Sequence, residues 1–408
     1  MNKILKYSVF LTITVLVIVG IIIRNRKPNI ISDALKPVAV VSKVTSKKEL
    51  KNTDGRTNIL LLGVDGRAPG HSHAGSKLTD TILLVSIDKK GERPVFVSIP
   101  RDLWITQYKT KINSIYQLCY NEQVRENGRK VCEETPETCV DPCIKRVEET
   151  VEHVTGVPIH YYTIVGFDAF KEAIDTVGGI DVNIEEAFDD YQYPIEGKEN
   201  AYPESERYKH IHFDAGIQHL DSEQALEYAR SRHSTNQKQA GDFARARRQQ
   251  QVILALKDKL LSTNVLFNPT KIKELYESYK NNVKTDITLG DAMAFYDTVK
   301  ELMNDKSNAS NGLLTDNVVK IVLSSEEQKP EKPGSGLLIV PEKGKYTTQW
   351  IVVPKDETFD EIHGYIQRMM FESPEPEANN NTEIKPDSNA EQNTQEESIQ
   401  DSDTSENE

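Results

Sequence analysis

NILLLGVD (58–65), TILLVSID (81–88) and PVFVSIP (94–100) decide the fold. Each is a short, nearly unbroken run of apolar and mostly branched residues. A strand with one face in water alternates apolar with polar positions, whereas a continuous apolar run belongs to a strand covered on both faces. The three runs therefore predict a sheet enclosed between two layers. Outward from them, the spacing predicts further strands at YYTIVGF (161–167), GGIDVNI (178–184), VVKIVLS (318–324), LLIVP (337–341) and TQWIVVP (348–354). Helical periodicity is predicted at 143–155, 168–177, 221–230, 242–262, 269–283, 289–303 and near 358–371. Gly178 and Gly179 supply a helix stop. Strands alternating with helices predict an α/β domain, an α-β-α sandwich around a central mixed sheet. No internal repeat is visible, and no domain boundary falls between about 57 and 371. The segment 185–220 is charged and aromatic, and too long for a passive connection, so it is expected to cover or rim a site.

The chain of 408 residues has a net charge of −13, but the charge is local. From Glu372 to Glu408 twelve acidic residues face one basic residue, Lys385, a net of −11. That stretch is nearly free of large apolar residues and is expected to be disordered. The remainder carries only about −2, with no broad basic excess, which argues against a sequence-independent nucleic-acid binder. Tyr7 to Ile23 is uncharged and lies between Lys6 and Arg24. As a helix it would span roughly 25 Å, near the minimum for a bilayer core. No small-x-small cleavage site follows it, so an uncleaved anchor is favoured over a signal peptide. Basic residues flank the run on both sides and leave its orientation open. Cys119, Cys132, Cys139 and Cys143 are the only cysteines, clustered in a stretch read as loop-rich, without the paired spacing of a zinc site. They suggest two disulfides, with three pairings open, and hence an oxidising, exported compartment. The division is a short cytoplasmic N-terminus (1–6), a transmembrane anchor (7–23), a linker (24–56), an extracytoplasmic domain (57–371) and an acidic tail (372–408).

Chemistry concentrates at YARSRH (228–233) and GDFARARRQQQ (241–251), which place Arg230, Arg232, Arg245, Arg247 and Arg248 within about twenty residues of an acidic chain. The guanidinium fork matches phosphate and carboxylate oxygens two at a time. On a helix over 242–262, Arg245, Arg248 and Gln249 share a face and Arg247 points elsewhere. The first strand ends in GVDGRAPG, and a loop leads to Asp80. Loops at strand ends are where α/β sheets hold ligands, and Asp65 and Asp80 flanking one loop would suit a hard cation such as Mg²⁺. His71 and His73 are read as solvated loop residues. The third strand ends in SIPRDLW, setting Arg101 at the same kind of position, and KTKINSIY places Lys111, Asn113 and Tyr116 on the first turns of a helix.

The ordered motifs GVDGR…LTDTILLVSID, VSIPRDLW, KINSIY, GVPIHYYTIVGFDAF, VGGIDVNI, LDSEQALEYARSRH and DFARARRQQQ resemble those of LytR-CpsA-Psr proteins. The resemblance is strong over about 57–305 and weaker to about 370. It implies a membrane-anchored enzyme on the extracytoplasmic side of the cytoplasmic membrane. Such an enzyme transfers a teichoic-acid- or capsule-like glycopolymer from an undecaprenyl-pyrophosphate carrier to peptidoglycan or another wall glycan. Carried over by residue, it puts Asp65 and Asp80 at a site for Mg²⁺ or Mn²⁺ and gives catalytic roles to Asp65, Asp80, Arg101, Arg230 and Arg232. It has Arg101, Arg230, Arg232 and Arg245 hold the pyrophosphate, with Gln249, Lys111 and Arg67 assisting. The family commonly has Arg-x-Asp-Thr where this chain reads Leu78-Thr79-Asp80-Thr81, which leaves Lys77 or Arg67 to replace the guanidinium. The alternative functions are a non-catalytic scaffold that binds polyprenyl phosphates and a lipid pyrophosphatase.

Overall fold

The computed structural model describes residues 49–64, 77–89, 93–262, 283–288, 290–291, 294–295 and 318–372. In chain order the strands begin with β1 (Arg56–Val64), β2 (Thr79–Asp88) and β3 (Val95–Ser98), then a small hairpin, β4 (Trp104–Ile105) and β5 (Thr110–Lys111). Three helices follow, α1 (Ile115–Asn127), α2 (Arg129–Glu134) and α3 (Pro136–Thr155). Next come β6 (Tyr161–Val165), α4 (Phe167–Val177), β7 (Ile180–Ile184), β8 (Phe188–Pro194), β9 (Tyr208–Phe213) and β10 (Gly216–Leu220). The chain continues through α5 (Ser222–Arg230), α6 (Gly241–Ser262), β11 (Val283–Thr285), β12 (Val319–Val322), β13 (Leu338–Ile339), β14 (Val353–Pro354) and α7 (Asp360–Phe371).

Among the described residues six strands form the central sheet in the order β11-β6-β1-β2-β3-β12. It is mixed: β1 pairs parallel with β6 and β12 parallel with β3, and the other pairings are antiparallel. Side chains alternate between the faces of a strand, and both faces of this sheet are buried. Ile59, Leu83, Val85 and Ile87 pack with Ile174 of α4, Tyr228 of α5 and Val252 of α6. Leu60, Leu62, Ile82 and Leu84 pack with Ile115 of α1, Val147 of α3 and Ile366 of α7. That parity explains why the runs lack polar alternation: each neighbouring pair of residues feeds a different core. Gly178 ends α4 at φ +78°, as a left-handed cap.

Two readings change. The cysteine stretch is helical, through α1, α2 and α3, because Pro142 interrupts α3 without ending it and the helices bury Cys119, Cys139 and Cys143. Lys111 lies on β5, paired with Trp104, and the chain turns helical directly after it, in a 3-10 turn over Ile112–Ser114 that carries Asn113 and runs into α1, which carries Tyr116. The cysteine sulfurs lie at bonding distance in two pairs, Cys119–Cys143 (2.05 Å) and Cys132–Cys139 (2.02 Å). The expected anchor, most of the linker, most of the helices at 269–283 and 289–303, and the tail from residue 373 lie outside the described residues. Among the described residues no helix is long and apolar enough to cross a membrane.

Candidate functional site

The antiparallel pairings bring the end of β1, the start of β2 and the end of β3 to one edge of the sheet. Asp80 stands near the start of β2, and Arg101 and Asp102 follow β3 on a turn closed by Leu103 N–H donating to Pro100 O. Arg101 Nη1 donates to Asp80 Oδ1 at 3.0 Å, and Asn113 Nδ2 donates to the same oxygen at 3.1 Å. Arg101 Nε reaches Asp102 Oδ2 at 3.3 Å, and Lys111 Nζ donates to the other oxygen of Asp102.

The second half of the site comes from the α5–α6 corner. Arg232 Nη2 donates to Asp242 Oδ2 at 3.0 Å. Arg245 Nη2 lies 2.9 Å from Asp242 Oδ1 and donates to the Asp80 carbonyl at 3.2 Å. Arg101 Nε lies 3.4 Å from Asp242 Oδ1, joining the two halves. Four cations, Arg101, Lys111, Arg232 and Arg245, thus converge on three carboxylates, Asp80, Asp102 and Asp242. Asp242 also occupies the first turn of a 22-residue helix, where the macrodipole favours an anion, and Arg245 follows on the next turn.

Donors and acceptors in the cluster are left unmatched. The buried Nε of Arg232 and the buried Nε of Arg245 donate to nothing among the described residues, and Asp242 Oδ1 sits at ion-pair distance without a directed hydrogen bond. Buried donors normally find partners. Burial pushes the Arg245 guanidinium down to about 10 even though Asp242 opposes it. Burial acts to raise the Asp80 and Asp242 carboxyls, but the arginines around them outweigh it and hold both below the ordinary value. Asp80 is the most accessible carboxylate, its side chain 36% exposed against 5% and 9% for Asp102 and Asp242.

The other expected residues lie differently. Arg230 stacks over Phe167, 4.2 Å from the ring centroid, and donates to the Tyr193 hydroxyl at 3.4 Å. Gln249 Nε2 donates to the Ala229 carbonyl at 3.4 Å. Arg248 shares the helix face of Arg245 but holds backbone: Nε donates to Tyr228 O at 2.8 Å, Nη1 to Gln239 O at 2.7 Å and Nη2 to Ser231 O. Arg247 points away and pairs with Glu326 at 2.6 Å. Lys77 Nζ sits 3.9 Å over the Tyr120 ring. Asp65, Arg67, His71 and His73 lie outside the described residues.

Asp190 on β8 is a positioning residue that the sequence reading missed. It is 1% exposed. Its Oδ2 accepts from the Ser231 hydroxyl at 2.7 Å and from the N–H groups of Arg232 (3.1 Å) and His233 (3.0 Å). Its Oδ1 accepts from Gln192 N–H at 2.8 Å. The strand pattern FDDYQY carries no local signal for this, because the partners are some forty residues away.

A sequence model of the LytR_cpsA_psr family matches residues 28–325. Among curated proteins, the chain is 34% identical over 243 residues to the polyisoprenyl-teichoic acid–peptidoglycan teichoic acid transferase TagV of Bacillus subtilis, covering 58% of this chain and 51% of that protein. It is 29% identical over 316 residues to the transferase of the same type, TagU, of Oceanobacillus iheyensis, covering 76% of this chain and 82% of that one. The cell wall biosynthesis protein LcpA of Corynebacterium glutamicum is 30% identical over 57% of this chain and 45% of its own length. The chain spans about half the length of TagV and of LcpA. The crystal structure of B. subtilis TagV aligns with 79% of this chain and 100% of that one, at a TM-score of 0.48 and 24% identity.

Proposed function

The chain belongs to the LytR_cpsA_psr family, and from that membership and the geometry of its cationic cluster we propose that it transfers a glycopolymer from a polyprenyl-pyrophosphate carrier to a wall glycan. Relatives named for polyisoprenyl-teichoic acid transfer to peptidoglycan support the substrate class. The observation that carries the reading is the convergence of four cations with two buried guanidinium Nε groups lacking acceptors. A pyrophosphate diester has two negative charges and oxygens to accept both bonds.

In this reading Arg101, Arg232 and Arg245 hold the pyrophosphate, Lys111 adds charge at the Asp102 side, and Arg230 lies along the approach beside Phe167. A sugar hydroxyl of the wall glycan attacks the phosphorus next to the glycopolymer. The new bond joins that oxygen to phosphorus, and the bond to the bridging oxygen breaks. Polyprenyl phosphate leaves with the electron pair, and the hydroxyl proton passes to a neighbouring carboxylate. Breaking a phosphoanhydride is chiefly a matter of position and charge neutralisation, which fixed guanidinium groups supply without reorganising.

Both bonds to the Asp80 carboxylate fall on Oδ1. Among the described residues Oδ2 accepts none, and no group of three or more His, Cys, Asp or Glu there would hold a metal. With Asp65, to which the family resemblance assigns the same role, Asp80 would hold a divalent cation, Mg²⁺ or Mn²⁺, which when bound would add to the neutralisation of the pyrophosphate. The paired cysteines and the apolar run 7–23 support a single-pass anchor in the cytoplasmic membrane with this domain outside and its disulfides formed.

The test uses the full chain in detergent with a radiolabelled lipid-pyrophosphate glycopolymer, with and without wall glycan. Label should move to the glycan only when both are present. Binding without transfer would favour a scaffold, and release of phosphorylated polymer without glycan would favour a pyrophosphatase.

A further inference from the structure

One stretch near the C-terminal end of the described residues, 346–352, lies beyond the residues that the family model matches, yet it is laid directly on the site. Val352 N–H donates to Asp102 O at 3.2 Å, and Trp104 N–H donates to Val352 O at 2.9 Å. The stretch reaches both halves of the cluster with an aromatic ring. The Tyr346 ring lies 6.3 Å from that of Trp104, two residues past Asp102, at a 50° tilt. The Trp350 ring lies 6.4 Å from that of Phe243, which follows Asp242, at 58°. Trp104 is also the cross-strand partner of Lys111, so the two side chains share a face of the hairpin. Trp350 keeps 48% of its surface open. Tyr346 and Trp104 border a groove of about 390 Å³, which Phe359, Gln107, Glu357 and Asp360 also line.

We propose that this aromatic rim is the subsite for the acceptor saccharide, the neutral N-acetylated sugars of the wall glycan; the proposal rests on the transferase reading above. A sugar ring presents an apolar C–H face and an edge of hydroxyls. It needs flat apolar surface bordered by amide and carboxylate groups, the mix that lines this groove. An anion is the wrong occupant, because Glu357 pairs with Lys345 and Asp360 adds a negative charge. Beside it the cationic cluster has the opposite character. The donor's pyrophosphate and the acceptor's hydroxyl thus have adjoining seats of unlike chemistry, joined through Trp104 and Lys111.

The experiment uses the full chain in detergent, a soluble neutral tetrasaccharide of N-acetylglucosamine, and, as a separate titrant, a short-chain polyprenyl pyrophosphate. Trp350→Ala and Tyr346→Ala should each weaken the tetrasaccharide at least tenfold, Trp350→Phe should retain most of the affinity, and pyrophosphate affinity should stay within twofold in all three. The unchanged pyrophosphate arm also certifies folding. Saccharide affinity within twofold of wild type in both alanine variants overturns the proposal. So does a wild-type chain that binds the pyrophosphate and no saccharide. A wild-type chain that binds the saccharide and no pyrophosphate overturns the transferase reading and leaves the aromatic subsite standing.

Discussion

Arg56 and Arg245 stand at opposite ends of the same sheet, both buried, and they are treated in opposite ways. Arg56 opens β1, is 5% exposed, and finds an acceptor for each of its groups. Nε donates to Ser86 Oγ at 2.8 Å, Nη1 to Met370 O at 3.1 Å, and Nη2 to Arg93 O at 2.8 Å and Ser86 O at 3.2 Å. Arg245 is 7% exposed, but its Nε donates to nothing among the described residues, and two other guanidinium groups, those of Arg101 and Arg232, crowd the same carboxylate. Burial alone therefore does not separate an arginine that the fold satisfies from one that it leaves with an open donor. What separates them is whether the fold supplies the acceptors. Arg248, one turn from Arg245, belongs with Arg56.

The contrast is broken most directly by stability. Arg56→Ala and Arg248→Ala strip buried carbonyls of their donors and should cost about 3–5 kcal/mol each. In a domain of this size that is a drop of roughly 6 °C in the thermal midpoint. Arg245→Ala and Arg232→Ala should cost far less, because they relieve crowding among like charges. Equal losses at Arg56 and Arg245 in a thermal melt would end the distinction.

Binding sharpens it next. Charge-assisted bonds to arginine are worth roughly 1.5–3 kcal/mol each. Arg245→Ala and Arg232→Ala should therefore weaken a short polyprenyl pyrophosphate about ten- to a hundredfold. Lysine at either position should restore only part, since it lacks the planar fork. Arg247→Ala, which removes a contact with Glu326 on another side of α6, should change affinity by less than about twofold in the same titration.

The smallest effect is in pH. The Asp242 and Asp190 carboxyls are held below the ordinary range; burial raises both, but arginines outweigh it at Asp242, and the Ser231 hydroxyl and backbone N–H groups do so at Asp190. Their contribution is present above the unfolded-state value and is lost as pH falls through the folded one. Glu148 on α3 has the reverse sign. Burial, with Asp286 and Glu152 nearby, pushes it up to about 7 from 4.5. The folded chain holds that proton more tightly, so its contribution is full below pH 4.5 and is lost as pH rises through about 7. Urea unfolding across this window should show stability declining with rising pH, and Glu148→Gln should remove that slope. An unchanged slope in the variant would place its origin elsewhere.

The sheet was legible because burial on both faces leaves a mark in consecutive residues, as at Ile59-Leu60 and Leu83-Leu84. The arginine corner was legible because Arg232, Asp242 and Arg245 are close in sequence. The helical character of 115–155 was obscured by the cysteines and by Pro142, whose missing N–H one exposed turn of α3 tolerates. The anchoring of Arg248 on carbonyls, the stacking of Arg230 and the position of Trp350 depend on contacts between distant segments, which no local pattern records. Arg245 and Arg248 share a helix face and differ only in what the rest of the fold brings to them.

Asp190 has a mechanical consequence. It grips Arg232 by the main chain and leaves the side chain to other partners. Arg232 is thus held at both ends, its main chain by Asp190 and its guanidinium by Asp242, so a change at Asp190 on β8 would displace a cation of the cluster without touching its side chain.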